Sequence, residues 1–408
     1  MTYEELLDWL YSTQLFGVKL GLDGPKQLLR RFKAHPAPGT QVVHVAGTNG
    51  KGSTCAIAES LARACGKKTG LFTSPHLVDF RERIRVNGEM IPVDALTALL
   101  EELHSKVSSL DPHPTFFELT LALALRYFRE QEVEIIFLET GMGGRLDATN
   151  AIKKDIAVLT PIGMDHMQYL GNTLEEIAEE KADIIQENTP IATARQHPDV
   201  LEVIEQIAIE RRAKIIHVNR PLLGFHIALQ GKHQQENAAL AAAALNAIGM
   251  ELRTDTVAAG LKDVYWPGRF EKIGSSYILD GAHNSHAIPT LLSTWQDQFG
   301  EQKVPVVFSA VEDKDISAVL EGLASIAKSF HFAPLNSPRA LPPSEMPMKL
   351  PASFSGEVYT HETLQCALDE AREEAAALGL PALITGSLYF IGEVKAYLQG
   401  ASTRATRQ

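Results

Sequence analysis

The chain has 408 residues, long for a single core, so two domains, or three, are expected. Its 45% hydrophobic and 22% charged residues are those of an ordinary globular protein, and a net charge of −12 argues against nucleic acid as a partner. The three cysteines, Cys55, Cys65 and Cys366, lack a C-x-x-C spacing, which suits a reducing compartment and offers neither a disulfide framework nor a zinc site.

The N-terminal MTYEELLDWLYS carries acids and no cationic region, so no signal peptide is expected. QVVHVA (41–46) reads as a buried strand, Ser53 to Cys65 as a helix, and KTGLFTS as a second strand. RIRVNGEMIPV (83–93) sets Asn87-Gly88 between alternating runs, a hairpin signal. IIFLET (135–140), IAVLTP (156–161), IATAR (191–195) and KIIHV (214–218) are further strands, with helical stretches such as LEEIAEEKADIIQ (174–186) between them. This βαβ rhythm predicts a parallel sheet covered by helices on both faces. The alanine-rich stretch from Asn237 to Met250 is too short for a membrane span, and a cytoplasmic setting is expected. Pro-Gly in VYWPGRF (264–270) interrupts the pattern and divides the chain into domains 1–265 and 266–408. A smaller series follows: SYILDGAH, VPVVFSAV, FHFAPL and ALITGSLYF. NSPRALPPSEMPMKLP (336–351) reads as a proline-rich surface loop, and the tail ASTRATRQ is expected to fray.

HVAGTNGKGST (44–54) departs from the usual phosphate-loop pattern, with Val45 for the first glycine and Gly52 where a hydroxyl should stand. Ser53 and Thr54 supply the hydroxyls one step late. The context is nevertheless strand, loop, helix. Backbone N–H groups at the helix start favour an anion, Lys51 adds a positive charge for terminal phosphates, and Ser53 or Thr54 offers a hydroxyl to Mg²⁺. The plainer alternative is a glycine turn capped by Ser53. Glu139 closes the strand IIFLE, where a parallel sheet presents ligands at its carboxyl edge, and His166 follows the next strand. With Ser53 they make a plausible Mg²⁺ shell; a residue capping the following helix is the other reading of His166. Lys181 has the pattern of a solvated i,i+4 partner. RERIR (81–85) would place Arg81, Arg83 and Arg85 on one face if extended, as a cationic strip or as a charged edge strand. PGR and DGAHN are also compatible with turn chemistry alone.

GTNGKGST, SPHL (74–77), ERIRVNG (82–88), FFELTLALAL (116–125), ETGMGGRLDATN (139–150), TPIGMDHMQYLGNTLEEIAEEKADII (160–185), HQQENAALA (233–241), PGRFE (267–271), DGAHN (280–284), DKD (313–315) and GSLYFIGEV (386–394) run in one order over nearly the whole chain. Together they resemble the folylpolyglutamate synthase and dihydrofolate synthase branch of the Mur ligase superfamily. The resemblance implies an α/β fold: a larger N-terminal P-loop-type ATPase domain with a mostly parallel sheet flanked by helices, plus a smaller C-terminal Rossmann-like α/β domain. It implies a ligase that activates a carboxylate as an acyl phosphate with ATP and joins it to the amine of glutamate.

The same resemblance assigns Gly47, Thr48, Asn49, Gly50, Lys51, Gly52, Ser53 and Thr54 to ATP, Asn237 to the adenine side, and Arg269 to the phosphates. It places Asp280 and His283 near the ribose and incoming glutamate, Ser387 and Tyr389 near the glutamate, and Arg81 near the folate tail. Ser53, Glu139 and His166 match the metal ligands, and Lys181 matches a lysine carbamylated beside a second Mg²⁺. Lys51, His166, Lys181 and Arg269 form the implied catalytic set. GRLDATN resembles bifunctional members, so Arg145 and Asp147 are expected on the pterin side and both activities are expected; chain extension alone is the alternative. Phe117, with Phe116, either stacks on a pterin or belongs to the core. Two departures stand out: Asp183 replaces the glycine of the usual EKAGII, and Ser285 replaces a proline after DGAHN. A cell-wall ligase needs an extra N-terminal domain, whereas only about forty residues precede the loop. An ATP-hydrolysing switch and a non-enzymatic binding protein are more remote alternatives. The implied partners are small molecules, with no nucleic acid or membrane, and a monomer is implied.

Overall fold

The computed structural model describes residues 1–16, 21–108, 110, 112–312 and 315–401, so Asp313 and Lys314 of the DKD motif and most of the C-terminal tail lie outside the described residues. The chain separates into one unit made of Met1–His76, Arg81–Ala228 and Gln235–Val264, and a second made of Leu77–Phe80, Leu229–Gln234 and the chain from Tyr265 on.

The apolar runs of the first unit form β1 (Gln41–Ala46), β2 (Thr69–Phe72), β3 (Ile84–Val86), β4 (Glu89–Met90), β5 (Ile135–Glu139), β6 (Ile156–Leu159), β7 (Ile191–Ala194) and β8 (Ile215–Val218). They lie in one sheet, ordered β4-β3-β2-β5-β1-β6-β7-β8. Only β3 and β4 run antiparallel to their neighbours. Every residue of β2, β5, β6 and β7 is buried, as strands covered on both faces must be. Each fully buried Val, Leu or Ile contributes about 1.5–3 kcal/mol against the entropy of ordering it. Asn87 and Gly88 both take positive φ (51° and 82°), the geometry of a two-residue hairpin turn. The helices Tyr3–Ser12 and Phe116–Glu130 each open with a reciprocal capping box, Thr2/Glu5 and Thr115/Glu118.

The second unit carries β9 (Glu271–Ile273), β10 (Tyr277–Leu279), β11 (Val304–Phe308), β12 (Ala327–Phe332), β13 (Glu357–Thr360) and β14 (Ala382–Thr385), ordered β13-β12-β11-β14-β10-β9. All neighbours are parallel except β9. Apolar residues pack on both faces of this sheet, Trp295, Phe308 and Phe330 in one cluster and Leu279, Val307 and Phe390 in the other.

Several expectations change. The phosphate-loop helix spans Lys51–Ala64, and its N-cap is Gly50 in the left-handed region at φ 87°, so Ser53 is not the cap. The helix read over 174–186 stops at Ala182. RERIR is not one extended strip: Phe80–Arg83 is a 3₁₀ turn and only Ile84–Val86 joins the sheet. The edge strands β9 and β13 lack the apolar run that marks a buried strand; all four residues of β13 are exposed. The loop 336–351 is not wholly at the surface, since Leu341 and Met346 are buried in the core. Among the described residues, no helix is long and apolar enough to cross a membrane.

Candidate active site

The first unit brings its chemistry to the carboxyl edge of the central strands. β1 enters the loop, and the chain turns at Gly47 (φ 143°) and Gly50 (φ 87°). A Cβ on Gly47 would lie 1.9 Å from Thr160 Oγ1, and one on Gly50 would lie 2.9 Å from Asn237 Oδ1. The two glycines therefore permit close packing as well as the turn. The loop is laced to the end of β6: Thr48 N–H donates to Pro161 O (3.0 Å) and Thr48 Oγ1 to Gly163 O (2.9 Å). Asn49 N–H also points at Pro161 O (3.4 Å). Gly52, Ser53 and Thr54 form the buried first turn of the helix, and Thr54 Oγ1 has no hydrogen-bond partner among the described residues.

Two lysines meet at one carbonyl. Lys51 Nζ donates to Gly47 O and Thr48 O (3.1 Å each), and Lys181 Nζ donates to Gly47 O (3.0 Å). Lys181 is buried at 3% exposure, so the reading as a solvated helix partner is corrected. Burial first, and the neighbouring Lys51 second, push its pKa down to about 7, while Asp165 and Asp147 oppose the shift. The Asp183 carboxylate pairs with Arg211 at 2.7 Å.

Glu139 ends β5 buried, its Oε2 accepting the Ser74 N–H at 3.0 Å. His166 sits at φ 53°, an uncommon conformation for a non-glycine residue, with its side chain 37% exposed. It makes no side-chain cap on the helix that follows. Its N–H donates to Asp165 Oδ1 at 2.9 Å, and its ring Nε2 lies 4.0 Å from Asp165 Oδ2. A hydroxyl at the loop and a buried carboxylate at the strand end are oxygen donors of the kind a hard divalent cation takes, and the buried, unpartnered Thr54 hydroxyl marks a polar position there. These residues fit Mg²⁺.

Asp147 and Arg145 belong to the loop that follows β5. Asp147 is buried, and its carboxylate is taken up by its own loop: Oδ2 accepts Gly141 N–H (2.9 Å) and Met142 N–H (3.0 Å), and Oδ1 accepts Thr149 N–H (2.9 Å) and the Thr149 hydroxyl. A chain of bonds continues inward from Thr149 through His44 Nε2 (2.7 Å) to Lys154 Nζ at His44 Nδ1 (2.9 Å). Arg145 pairs with Glu180, and its N–H bonds Glu180 O at 2.8 Å, so this loop lies against the end of the Lys181 helix. Phe117 is half-buried, tilted against Phe72 and close over Gly141, while Phe116 is core. Of the arginines, Arg81 and Arg85 are half-buried, but Arg83 is fully buried and donates to His76 Nδ1 at 2.7 Å. The cationic strip is thereby reduced, because Arg83 serves His76, whose Nε2 in turn bonds Tyr11 at 3.1 Å.

In the second unit, Asp280 follows β10 and accepts the N–H groups of Phe270 and Ala282 (2.9 Å each). Burial raises its pKa, and Arg269 and those N–H groups oppose the rise. Arg269 Nη1 donates to Gly268 O at 3.1 Å, and His283 Nδ1–H donates to Gly281 O at 2.8 Å. Ser387 is buried at the N-cap of the helix Leu388–Gln399, where its Oγ accepts the Tyr389 N–H at 3.2 Å. Sequence reasoning missed two residues. Asp165, beside His166, is felt by Lys181; an acid adjoining a candidate ligand was its only signal. Ser309, just after β11, is fully buried with an Oγ that has no partner among the described residues, and its carbonyl crowds Gly386.

The Mur ligase middle domain matches residues 45–194, and the Mur ligase glutamate ligase domain matches residues 268–388. The fold and site are thus those of an ATP-dependent ligase that forms an amide bond. The dihydrofolate synthase/folylpolyglutamate synthase of Bacillus subtilis is 36% identical over 433 aligned positions, covering 97% of this chain and 99% of that one. Among solved structures, Escherichia coli FolC in complex with DHPP and ADP superposes with a TM-score of 0.84 at 31% identity, over 97% of this chain and 98% of that one. The Yersinia pestis bifunctional enzyme complexed with AMPPNP and Mn ion gives a TM-score of 0.87 at 28% identity, with 98% of each chain covered. The chain belongs to the dihydrofolate synthase/folylpolyglutamate synthase family of Mur ligases.

Proposed function

We propose that this enzyme adds L-glutamate to dihydropteroate, forming dihydrofolate, and extends folates with further glutamates. The convergence of Lys51 and Lys181 on the Gly47 carbonyl, beside Glu139 at the strand edge, carries this reading. A carboxylate is a poor electrophile. Its oxygen attacks the γ-phosphorus of ATP, ADP leaves, and the acyl phosphate has phosphate as a leaving group. The glutamate amine then adds to the acyl carbon, loses a proton, and phosphate departs with the C–O electron pair. Phosphoryl transfer of this kind depends on positioning and charge neutralisation.

In this reading residues 1–265 form the ATP-binding domain and residues 266–408 the glutamate-ligase domain. Gly47 to Thr54 cradle the phosphates, Lys51 and Arg269 offset their charge, and Asn237 and Asp280 hold the nucleoside. Ser53, Glu139 and His166 would hold one Mg²⁺, and a carbamate on Lys181 a second; the ions supply charge neutralisation at the phosphates. Carbamylation forms an N–C bond from the neutral amine to CO₂ with loss of one proton, and the depressed pKa of Lys181 supplies that amine. Arg81 and Phe117 serve the folate, with Arg145 and Asp147 on its pterin side. His283, Ser387 and Tyr389 serve the glutamate. The enzyme works as a cytoplasmic monomer on small molecules, without nucleic acid or membrane.

ADP release with Mg²⁺ and glutamate, with and without dihydropteroate and separately with tetrahydrofolate, tests this. Release is expected with either acid and only when glutamate is present. Release with tetrahydrofolate alone would leave a chain-extending enzyme, and release without either acid would refute the ligase reading.

A further inference from the structure

A second group of titratable side chains lies in the C-terminal unit and has no part in the proposed reaction. His331 is near the end of β12, His361 follows β13, and Glu370 and Glu374 stand one helical turn apart on the helix Leu364–Ala377. One donor atom from each of His331, His361 and Glu370 lies within 4.8 Å of the others. His331 and His361 are buried, whereas the Glu370 side chain is 57% exposed and opens the group to solvent.

The hydrogen bonds assign the protons. Glu374 Oε2 takes the Ser329 hydroxyl at 2.7 Å and lies 3.1 Å from His331 Nε2, so that nitrogen carries the hydrogen. In the neutral ring His331 Nδ1 is the lone pair, and it faces His361 Nε2 at 3.1 Å. Two imidazole nitrogens on one tetrahedral zinc ion are spaced by roughly 3.4 Å, given Zn–N bonds of about 2.0–2.1 Å. The gap observed is within a few tenths of that.

We propose that His331 Nδ1, His361 Nε2 and a Glu370 carboxylate oxygen bind one borderline divalent transition-metal ion of the zinc class, with Glu374 as the positioning residue behind His331. The carboxylate–imidazole–metal order is the usual way such a histidine is oriented. Two imidazoles with one carboxylate suit zinc, cobalt or nickel and disfavour magnesium, which takes oxygen donors. On binding, the His361 proton moves from Nε2 to Nδ1. The two rings, now 12° from parallel, tilt so that their lone pairs converge. The ion would tie the end of edge strand β13 to the helix that covers the sheet, and free metal in excess of its Kd would raise the melting temperature.

The test uses the full chain, stripped with a chelator and kept in millimolar Mg²⁺. Zn²⁺ affinity is read by competition with a chromophoric chelator, and Co²⁺ by its visible d–d spectrum. One equivalent of Zn²⁺ per chain is expected, with a tetrahedral-type cobalt spectrum. Affinity should fall at least tenfold in Glu370→Gln, whose exposed side chain leaves the fold intact, and further in His361→Gln. Glu374→Gln should weaken binding roughly tenfold while keeping the stoichiometry. The proposal is overturned if the native chain takes up no stoichiometric zinc. It is equally overturned if Glu370→Gln, with native circular dichroism, binds zinc as tightly as the native chain.

Discussion

Lys181 offers the sharpest prediction. An ordinary lysine of pKa 10.5 is about 0.03% neutral at pH 7, whereas a pKa of about 7 leaves roughly half of Lys181 neutral. Burial thus raises the fraction of nucleophilic amine by about 10²–10³-fold, and that fraction is what CO₂ can capture. In ¹³C-bicarbonate the native chain should show one carbamate resonance by NMR, absent in Lys181→Arg and Lys181→Met. Ligase activity should be lost in both variants by 10²-fold or more, since neither can bear the carbamate. Activity of the native enzyme should rise with pH through about 7 at fixed dissolved CO₂, as the ammonium gives up its proton. Stability carries the same sign. The unfolded chain holds this proton up to pH 10.5 and the folded chain only to about 7, so the cost of burying Lys181 is complete below pH 7 and fades as pH rises. A Lys181→Met enzyme that retains native turnover, together with no carbamate signal in the native chain, would refute the reasoning.

Other perturbations test neighbouring parts of the site. Gly47→Ala places a Cβ 1.9 Å from Thr160 Oγ1 at a backbone φ of 143°, and the loop must retreat by about 1 Å; ATP-dependent turnover should fall about 10²-fold, and chemical denaturation should show a stability loss of about 1–3 kcal/mol. Ser309→Ala removes a buried hydroxyl without a partner among the described residues; chemical denaturation should show stability unchanged or slightly raised. Thr149→Val cuts the chain from Asp147 to His44 and leaves buried polar atoms short of partners, so chemical denaturation should show a loss of about 1–3 kcal/mol.

Much of this protein is legible in its order of residues. The apolar runs QVVHVA, IIFLE and IAVL form β1, β5 and β6 because a strand covered on both faces needs little beyond continuous hydrophobicity. Asn87-Gly88 makes its turn because those two residues tolerate positive φ, and the glycines at 47 and 50 mark the phosphate loop for the same local reason. Tertiary packing alone decided the states of the charged side chains. Lys181 has the sequence signature of a solvated helix residue, but its helix packs its end against the loop carrying Arg145, and the amine is left buried at Gly47 O. Arg83 looked like one tooth of a cationic strip until the 3₁₀ turn at Phe80–Arg83 rotated it inward onto His76. Asp147 reads in the sequence as one more loop acid, and only the fold shows both its oxygens accepting hydrogen bonds from its own loop. His331 and His361 are thirty positions apart and meet because β12 and β13 are paired in parallel. Backbone conformation follows from near neighbours in the chain, whereas burial, protonation and pairing depend on groups brought together from distant positions.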